Sequence, residues 1–431
     1  MSAPLDALFR PLPLGPVTAQ GRLFKTATAE TRASDDGFVT DELLAFYEPM
    51  AAAGTPLIIT GNLYISREGK SSPRQTGVDH DDKIPGLREL ADTVHRPAGS
   101  LLVAQLNHCG RQVLPAAMGL DRAVSASNVT EKMMGTRPRP LREPEIHQVI
   151  NDFASAAERC QRAGFDGVQV HAGHGYLINQ FLTPYTNRRR DRWGGNFDGR
   201  VRLLVEVVRA VRDRCGDDFC ILLKLNGHDR LPGRNGLGTD ELVRVAQRAV
   251  EAGVDGVEIT CGHYESGFPM IRGRFEDVFP AMLGEGIGSS LPPSRRIPLR
   301  LFGGAIGRLF NTLWPPQEGF NLPYARKFRA AIDVPVIAVG GFATGDAMAW
   351  AIDQGECDAV SSARQFIADP LLFYHLQHGI AGPRCSWCNG CIARAGGQPV
   401  GCYDPDVAAE QCRALAAFRA VSRAAGEEAI A

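Results

Sequence analysis

Apolar residues along this chain follow two alternating rhythms. Short, nearly continuous apolar runs recur eight times: LFKTA (23–27), PLIITG (56–61), LLVAQL (101–106), GVQVHA (167–172), CILLKLN (220–226), GVEITCG (256–262), PVIAVGG (335–341) and AVSSAR (359–364). Runs of this length, without polar alternation, predict strands buried on both faces, as parallel strands are. Between them lie amphipathic stretches such as DGRVRLLVEVVRAVRDRC (198–215) and DELVRVAQRAVEAG (240–253). In the first, Val201, Leu204, Val205, Val208 and Val211 recur at helical spacing and make one core-facing stripe. Eight such strand–helix units predict an α/β fold, a closed (β/α)₈ barrel. An open doubly wound sheet is the rival, weakened because no G-x-G-x-x-G follows the first strand. In a barrel the chemistry belongs to the C-terminal strand ends and the loops after them.

Two regions exceed a minimal barrel. The Gly- and Pro-rich segment 263–324 separates the sixth and seventh strands and is expected to form an insertion over the barrel mouth. The chain therefore divides into a barrel domain over 1–380, which includes that insertion, and an extension over 381–431. The extension carries a cysteine cluster and a predicted helix over 407–425. No internal repeat beyond the strand–helix alternation is evident.

Composition narrows the function classes. The chain has 431 residues, 44% hydrophobic and 22% charged, enough for a large core. A net charge of −1 gives no basic field for nucleic acid or an anionic membrane. No run approaches the roughly 18 apolar residues of a membrane span. The N-terminus has no basic stretch followed by an apolar run, so no leader is expected and a cytoplasmic location is. The 11 cysteines are unevenly spread, which argues against a secreted disulfide scaffold.

The strand ends gather polar side chains at one rim. The third run leads into Gln105-Leu106-Asn107-His108-Cys109-Gly110-Arg111, the fourth into His171-Ala172-Gly173-His174-Gly175-Tyr176, and the fifth ends in Lys224-Leu225-Asn226. Histidines can donate to a developing oxyanion, and a tyrosine hydroxyl can donate a proton. A lone histidine is usually a satisfied core residue; this trio at one strand end favours chemistry.

The stretch HAGHGYLINQFLTPYTNRRRDRWGG, with QLNHCGRQ, LIITGN, LFRPLPLGP and VIAVGGF…DAVSSARQFIADP, resembles the old yellow enzyme family of NADH:flavin oxidoreductases over about residues 5–375. The resemblance implies FMN held non-covalently across the barrel mouth. It places Gln105 at the flavin pyrimidine edge and Lys224 beside flavin N1 and O2, although Lys224 could instead serve a salt bridge within the barrel. Gly340, Gly341, Ala363 and Arg364 fall where the phosphate is held, and a phosphate needs such backbone N–H groups and a cation. His171 and His174 would grip a substrate oxygen, and Tyr176 would protonate the α-carbon. Asn187, Arg189, Asp191, Gly194, Gly195 and Arg200 are expected to fix the loop after the fourth strand. Where well-known members carry Pro-Met followed by Thr or Cys near the flavin, this chain has Ala27-Thr28-Ala29. With Glu30 and Gly61-Asn62 this marks a subgroup, with Asn62 near the flavin.

Cys385, Cys388, Cys391 and Cys402 have the spacing C-x2-C-x2-C-x10-C. Four thiolates this close suit zinc or an iron–sulfur cluster. The segment is similar to the 4Fe–4S segment of trimethylamine dehydrogenase and 2,4-dienoyl-CoA reductase, which continue into a second nucleotide-binding region. Three readings stay open: a 4Fe–4S cluster serving a separate electron-transfer partner or retained for structure, a structural zinc, or free thiols. The remaining cysteines, Cys109 at the rim among them, are most simply buried small hydrophobes, reactivity at Cys109 being the lesser reading. The leading expectation is hydride transfer from NAD(P)H through FMN to an activated alkene, by a protein expected to be a homo-oligomer acting on a small molecule. The alternatives are amine demethylation with electrons passed to a partner, a Schiff-base lyase at Lys224, and a non-catalytic electron carrier.

Overall fold

Each of the eight apolar runs becomes a barrel strand: β1 (Leu23–Lys25), β2 (Leu57–Tyr64), β3 (Leu101–Asn107), β4 (Gly167–His171), β5 (Cys220–Asn226), β6 (Gly256–Thr260), β7 (Val336–Val339) and β8 (Ala359–Ser362). The computed structural model describes residues 5–428 except 232, 234, 267 and 268, with side chains described as far as Ser422. All eight strands run parallel, and the ring closes where β8 pairs with β1, Val360 opposite Leu23. Burial on both sides explains the unbroken apolar runs: every residue of β4, β5 and β6 is buried. The outer layer comprises α1 (Asp41–Ala52), α2 (Ile84–Ala98), α3 (Glu143–Ala163), α4 (Phe197–Cys215), α5 (Thr239–Glu251), α6 (Leu322–Arg329), α7 (Gly345–Asp353) and α8 (Leu372–His378).

The forecast stripe on α4 is buried, and Leu203 and Val207 join it. Asn196 caps that helix by accepting from Gly199 N–H at 2.9 Å. The register of β2 against β3 shifts between Ile59 and Asn62. In that irregularity Gly61 N–H donates to the Glu30 carboxylate at 2.6 Å. A Cβ on Gly61 would stand 1.9 Å from Glu30 Oε2, so only glycine lets the carboxylate dock there.

The opposite end of the barrel shows a repeat that the sequence reading missed. Asp166, Asp255 and Asp358 stand just before β4, β6 and β8. Each carboxylate accepts from a backbone N–H of the preceding strand: Leu102 at 2.7 Å, Ile221 at 2.7 Å and Val336 at 2.9 Å. Each also meets a basic side chain from the helix layer, His95, Arg212 and Arg329 respectively. The aspartates thus tie strand pair and helix together at the face away from the chemistry.

Beyond the minimal barrel, the β6–β7 connection carries helices Val278–Gly284 and Pro293–Leu313, and the C-terminal region carries Gly390–Ala393 and Pro405–Glu428. The two additions meet: Phe275, Val278 and Ala393 form a small apolar cluster, and Arg394 pairs with Glu285 at 2.7 Å. The C-terminal region is also tied to the barrel, where Val400 N–H donates to Glu30 O at 2.8 Å and Arg32 donates to Val400 O at 2.6 Å. Among the described residues no helix is long and apolar enough to cross a membrane.

Asp255→Ala leaves Ile221 N–H without its carboxylate partner and Arg212 without its ion pair. We expect a loss of about 1–3 kcal/mol in urea unfolding, with the chemistry at the opposite face unchanged.

Candidate active site

One carboxylate organises the floor of the barrel mouth. Glu258 in β6 is fully buried. It accepts from Thr26 Oγ1 at 2.5 Å, from Gln169 Nε2 at 2.8 Å, from Lys224 Nζ at 3.0 Å and from the Ser361 hydroxyl. Gln169 is in turn reached by Gln105 Nε2 at 2.7 Å. Groups from β1, β3, β4, β5, β6 and β8 thus share one network. Burial alone would raise the Glu258 carboxyl, but the Lys224 charge and the three neutral donors outweigh it and hold it below the usual carboxylate range. Lys224 therefore does make a salt bridge inside the barrel, at 3.0 Å to Glu258, and also donates to Thr26 Oγ1 at 2.9 Å.

Above this floor, the end of β4 brings His171, His174 and Tyr176 together. The His171 ring lies 4.8 Å from the Tyr176 ring and 5.2 Å from the His174 ring, edge to face in both pairs. His174 has φ 57°, in the left-handed region, stabilised where its N–H donates to Asn226 Oδ1 at 3.1 Å. That turn brings both imidazoles to one side of the strand end. Gly173 N–H donates to His171 Nδ1 at 3.2 Å, which puts the ring proton on Nε2. His171 Nε2 is 3.4 Å from His174 Nδ1, and His174 Nε2 is 2.8 Å from Thr260 Oγ1. Burial, reinforced by Lys224, depresses the His174 imidazole to about 3; burial, His174 and Lys224 hold His171 well below its usual range. Both rings are neutral donors near pH 7.

Tyr176 meets a partner that the sequence reading missed. Its hydroxyl is 3.0 Å from the hydroxyl of Tyr264, which follows β6. Burial, then Tyr264, raises the Tyr176 phenol well above its ordinary value, so it keeps its proton. The short stretch Tyr264–Ser266 is held to the β4 loop by Tyr264 N–H donating to His174 O at 3.3 Å.

Gly340, Gly341, Ala363 and Arg364 line one cleft at the ends of β7 and β8, together with Cys385 and Trp387. Gly340 and Gly341 take φ 149° and 72°, and a Cβ on Gly341 would stand 2.1 Å from Gln317 O. The Arg364 guanidinium donates to Arg272 O at 2.6 Å and to Asn389 Oδ1, and lies 4.9 Å from the centre of the Trp387 ring. On the β1 side, Ala27 is half-buried, Thr28 Oγ1 accepts from Lys25 Nζ at 3.0 Å, and Ala29 is exposed. Asn62 stands opposite Gln105 in the β2–β3 register. The residues expected to fix the β4 loop do so: Asn187 Nδ2 donates to Phe181 O and Trp193 O, and Arg189 and Arg200 donate to backbone carbonyls.

The cysteines divide. Cys109 is buried, and desolvation pushes its thiol far above the range of a reactive thiolate. Cys385, Cys388, Cys391 and Cys402 are half-buried, and burial raises the thiols of Cys385, Cys391 and Cys402, to about 12 for Cys391 and about 11 for Cys402. Among the described residues no three His, Cys, Asp or Glu side chains converge into a ligand set for a metal ion.

Glu258, Gln169, Thr26, Thr260 and Tyr264 were absent from the sequence-derived site. The first two left a signal, a charged and a polar side chain inside the otherwise apolar runs GVEIT and GVQV.

Known proteins share this architecture. Residues 7–231 match the NADH:flavin oxidoreductase / NADH oxidase family. A metal reductase of Desulforamulus reducens is 33% identical over 392 residues, covering 90% of this chain and 52% of that protein. A 4,4'-dithiodibutanoate disulfide reductase of Rhodococcus erythropolis is 31% identical over 393 residues, covering 91% of this chain and 93% of that protein. The solved structure of an old yellow enzyme homologue from Zymomonas mobilis has the same fold, with a TM-score of 0.67 at 24% identity over 91% of this chain and 99% of that one. The chain spans about half the length of longer relatives such as the Desulforamulus protein. With its parallel barrel and its match through the β4 loop, the chain belongs to the NADH:flavin oxidoreductase / NADH oxidase family, the oxidoreductase family of old yellow enzyme.

Proposed function

We propose that this chain binds FMN at the barrel mouth and reduces an activated alkene, such as an α,β-unsaturated carbonyl compound, at the expense of NAD(P)H. The observation that carries the reading is the grouping of two neutral imidazoles and a protonated phenol at the end of β4, directly above a charged floor. FMN, when bound, supplies a hydride relay between the nicotinamide and the acceptor carbon. Gln105 and Lys224 would hold its ring system, with Asn62 and the Ala27–Ala29 stretch at the neighbouring strand ends. Gly340, Gly341, Ala363 and Arg364 would hold its phosphate. The residues fit: the cleft they line is open to solvent, and the two left-handed glycines keep side chains out of it.

His171 Nε2–H is engaged only by a long contact to His174, which leaves it free to donate to a substrate oxygen. His174, anchored by Thr260 and by Asn226, orients that donor. A neutral donor matches an oxyanion that gains charge during reduction without being protonated outright. Tyr176 holds its proton on the hydroxyl, and Tyr264, which can donate in turn, would stabilise the phenolate as that proton leaves. Thr28 and Ala29 bring little to the flavin carbonyl edge, since the Thr28 hydroxyl oxygen already accepts from Lys25 and Ala29 has no donor side chain. The Schiff-base alternative at Lys224 is disfavoured, because its amine is committed as a donor to both Glu258 and Thr26.

Cys385, Cys388, Cys391 and Cys402 would hold a 4Fe–4S cluster, which supplies one-electron transfer to a partner. The spacing C-x2-C-x2-C-x10-C supports this reading.

Three measurements test the reading. Tyr176→Phe should lower 2-cyclohexenone reduction by roughly 10²–10⁴-fold while NAD(P)H still bleaches the flavin at near the normal rate; a variant as fast as the parent would refute the tyrosine's role. Protein prepared without oxygen should contain iron and acid-labile sulfide, both lost in a Cys388→Ser/Cys391→Ser variant that keeps its flavin. Acid should also reveal the buried histidine. The folded-state value for His174 is about 3 against 6.5 for a free imidazole, so the unfolded chain takes up a proton that the folded one refuses. Stability is then lost as pH falls from 6.5 towards 3, and His174→Asn should show a smaller drop in urea midpoint across that window.

A further inference from the structure

Two arginines at the rim of the barrel mouth have no acidic partner among the described residues. Arg230, in the loop after β5, and Arg272, in the loop after β6, are both half-buried, yet among the described residues neither makes an ion pair, and the Nε of each is buried without a hydrogen-bond partner there. The Arg272 guanidinium makes no hydrogen bond to any described residue, and that of Arg230 donates only to the Tyr324 hydroxyl. A surface arginine without a carboxylate normally points into water. These two are instead packed on aromatic rings. Arg272 lies 4.9 Å from the centre of Phe320 and 5.5 Å from that of Trp314; Arg230 lies 5.5 Å from Tyr324 and 6.0 Å from the same Trp314. Trp314 is thus shared by both cations. Arg230 also holds φ 50°, a left-handed conformation unusual for a long side chain.

Gathering like charges on a partly desolvated surface is unfavourable unless an anion joins them. Burial, then the charge of Arg230, depresses the Arg272 guanidinium. The pair also adjoins the catalytic group. Both arginines act on the thiol of Cys261, the residue after Thr260, which contacts His174. Tyr324 packs on the end of β5, where a Cβ on Gly227 would stand 2.4 Å from it. Arg364 of the phosphate cleft is bonded to the backbone of Arg272.

We propose that Arg230 and Arg272, on their platform of Trp314, Phe320 and Tyr324, form an oxyanion site at the barrel mouth that takes the carboxylate or phosphate of a ligand whose other end reaches His171 and His174. The proposal deepens the reading of the β4 end as the acceptor site and rests on it. Two planar guanidinium forks suit a carboxylate or phosphate geometrically, and the aromatic faces hold the forks in place before the ligand arrives. The anion could belong to an acidic substrate or to the nicotinamide nucleotide.

The test uses flavin-loaded enzyme, so that the FMN phosphate already fills its own cleft. Calorimetry with levulinate (4-oxopentanoate) and its neutral methyl ester reads anion binding without turnover, and stopped-flow reduction by NADH and NADPH reads the nucleotide. KM is compared for acetylacrylate (4-oxopent-2-enoate) and neutral 2-cyclohexenone. In Arg230→Met/Arg272→Met we expect levulinate affinity and acetylacrylate KM to worsen about tenfold or more, with the ester and cyclohexenone within twofold. Arg272→Lys, which keeps a charge, should recover part of the loss and checks that folding is intact. Weakening confined to NADH and NADPH would keep the anion site and assign it to the nucleotide phosphates. Equal effects on anionic and neutral ligands, or none on any of them, would overturn the site. Loss of cyclohexenone turnover in the parent enzyme would instead sink the alkene-reductase reading, and the calorimetry would still decide the anion site.

Discussion

The buried Glu258 carboxylate is the constraint on which the mouth of this barrel depends. A charge inside a β-barrel is costly unless its lone pairs are filled and a counter-charge sits beside it. Here Lys224 supplies the charge, and Thr26, Gln169 and Ser361 supply neutral donors. Because these come from different strands, the requirement to satisfy one carboxylate sets the relative positions of β1, β4, β5, β6 and β8. Gln105 is then positioned through Gln169. Removing Glu258 would strand the Lys224 cation, at a cost on the order of 3–5 kcal/mol. The same pair moderates the positive field that Lys224 would otherwise present to a flavin.

The end of β4, proposed as the catalytic one, is built on that floor by a different device. The left-handed turn at His174 is an uphill conformation for a non-glycine residue, of order 1–3 kcal/mol. It is offset by bonds to Asn226, Thr260 and the Tyr264 backbone. Burial then removes the charge from both imidazoles and keeps the proton on Tyr176. The outcome is a set of neutral donors above a fixed ion pair, which favours development of negative charge on a substrate rather than binding of a pre-formed anion. A pre-formed anion finds its complement further out, at Arg230 and Arg272.

The β6–β7 connection and the C-terminal region cooperate more closely than their separation in the chain suggests. Trp387 of the cysteine segment lies against Arg364 and close to Gly341, and Asn389 accepts from Arg364. Arg364 also reaches the backbone of Arg272. One arginine thus joins the cleft at the ends of β7 and β8, the connection and the cysteine segment.

Periodicity and motif order were sufficient for the barrel. Eight apolar runs without alternation have few other solutions, and all eight are the strands that close it. The grouping of His171, His174 and Tyr176 was legible because the three are neighbours in the chain. The glycines at 340 and 341 and Arg364 were legible from a resemblance that fixes their strand ends. What could not be read were contacts between residues far apart in sequence. Glu258 meets Thr26 across 232 positions, Tyr264 meets Tyr176 across 88, and the Asp166, Asp255 and Asp358 staples are single residues with no local pattern. A one-dimensional pattern records which face of an element is apolar, since that follows from its own period. It does not record which polar groups a closed ring of strands will bring within 3 Å of one another. That depends on register and on the closure of β8 onto β1, which only the tertiary structure decides.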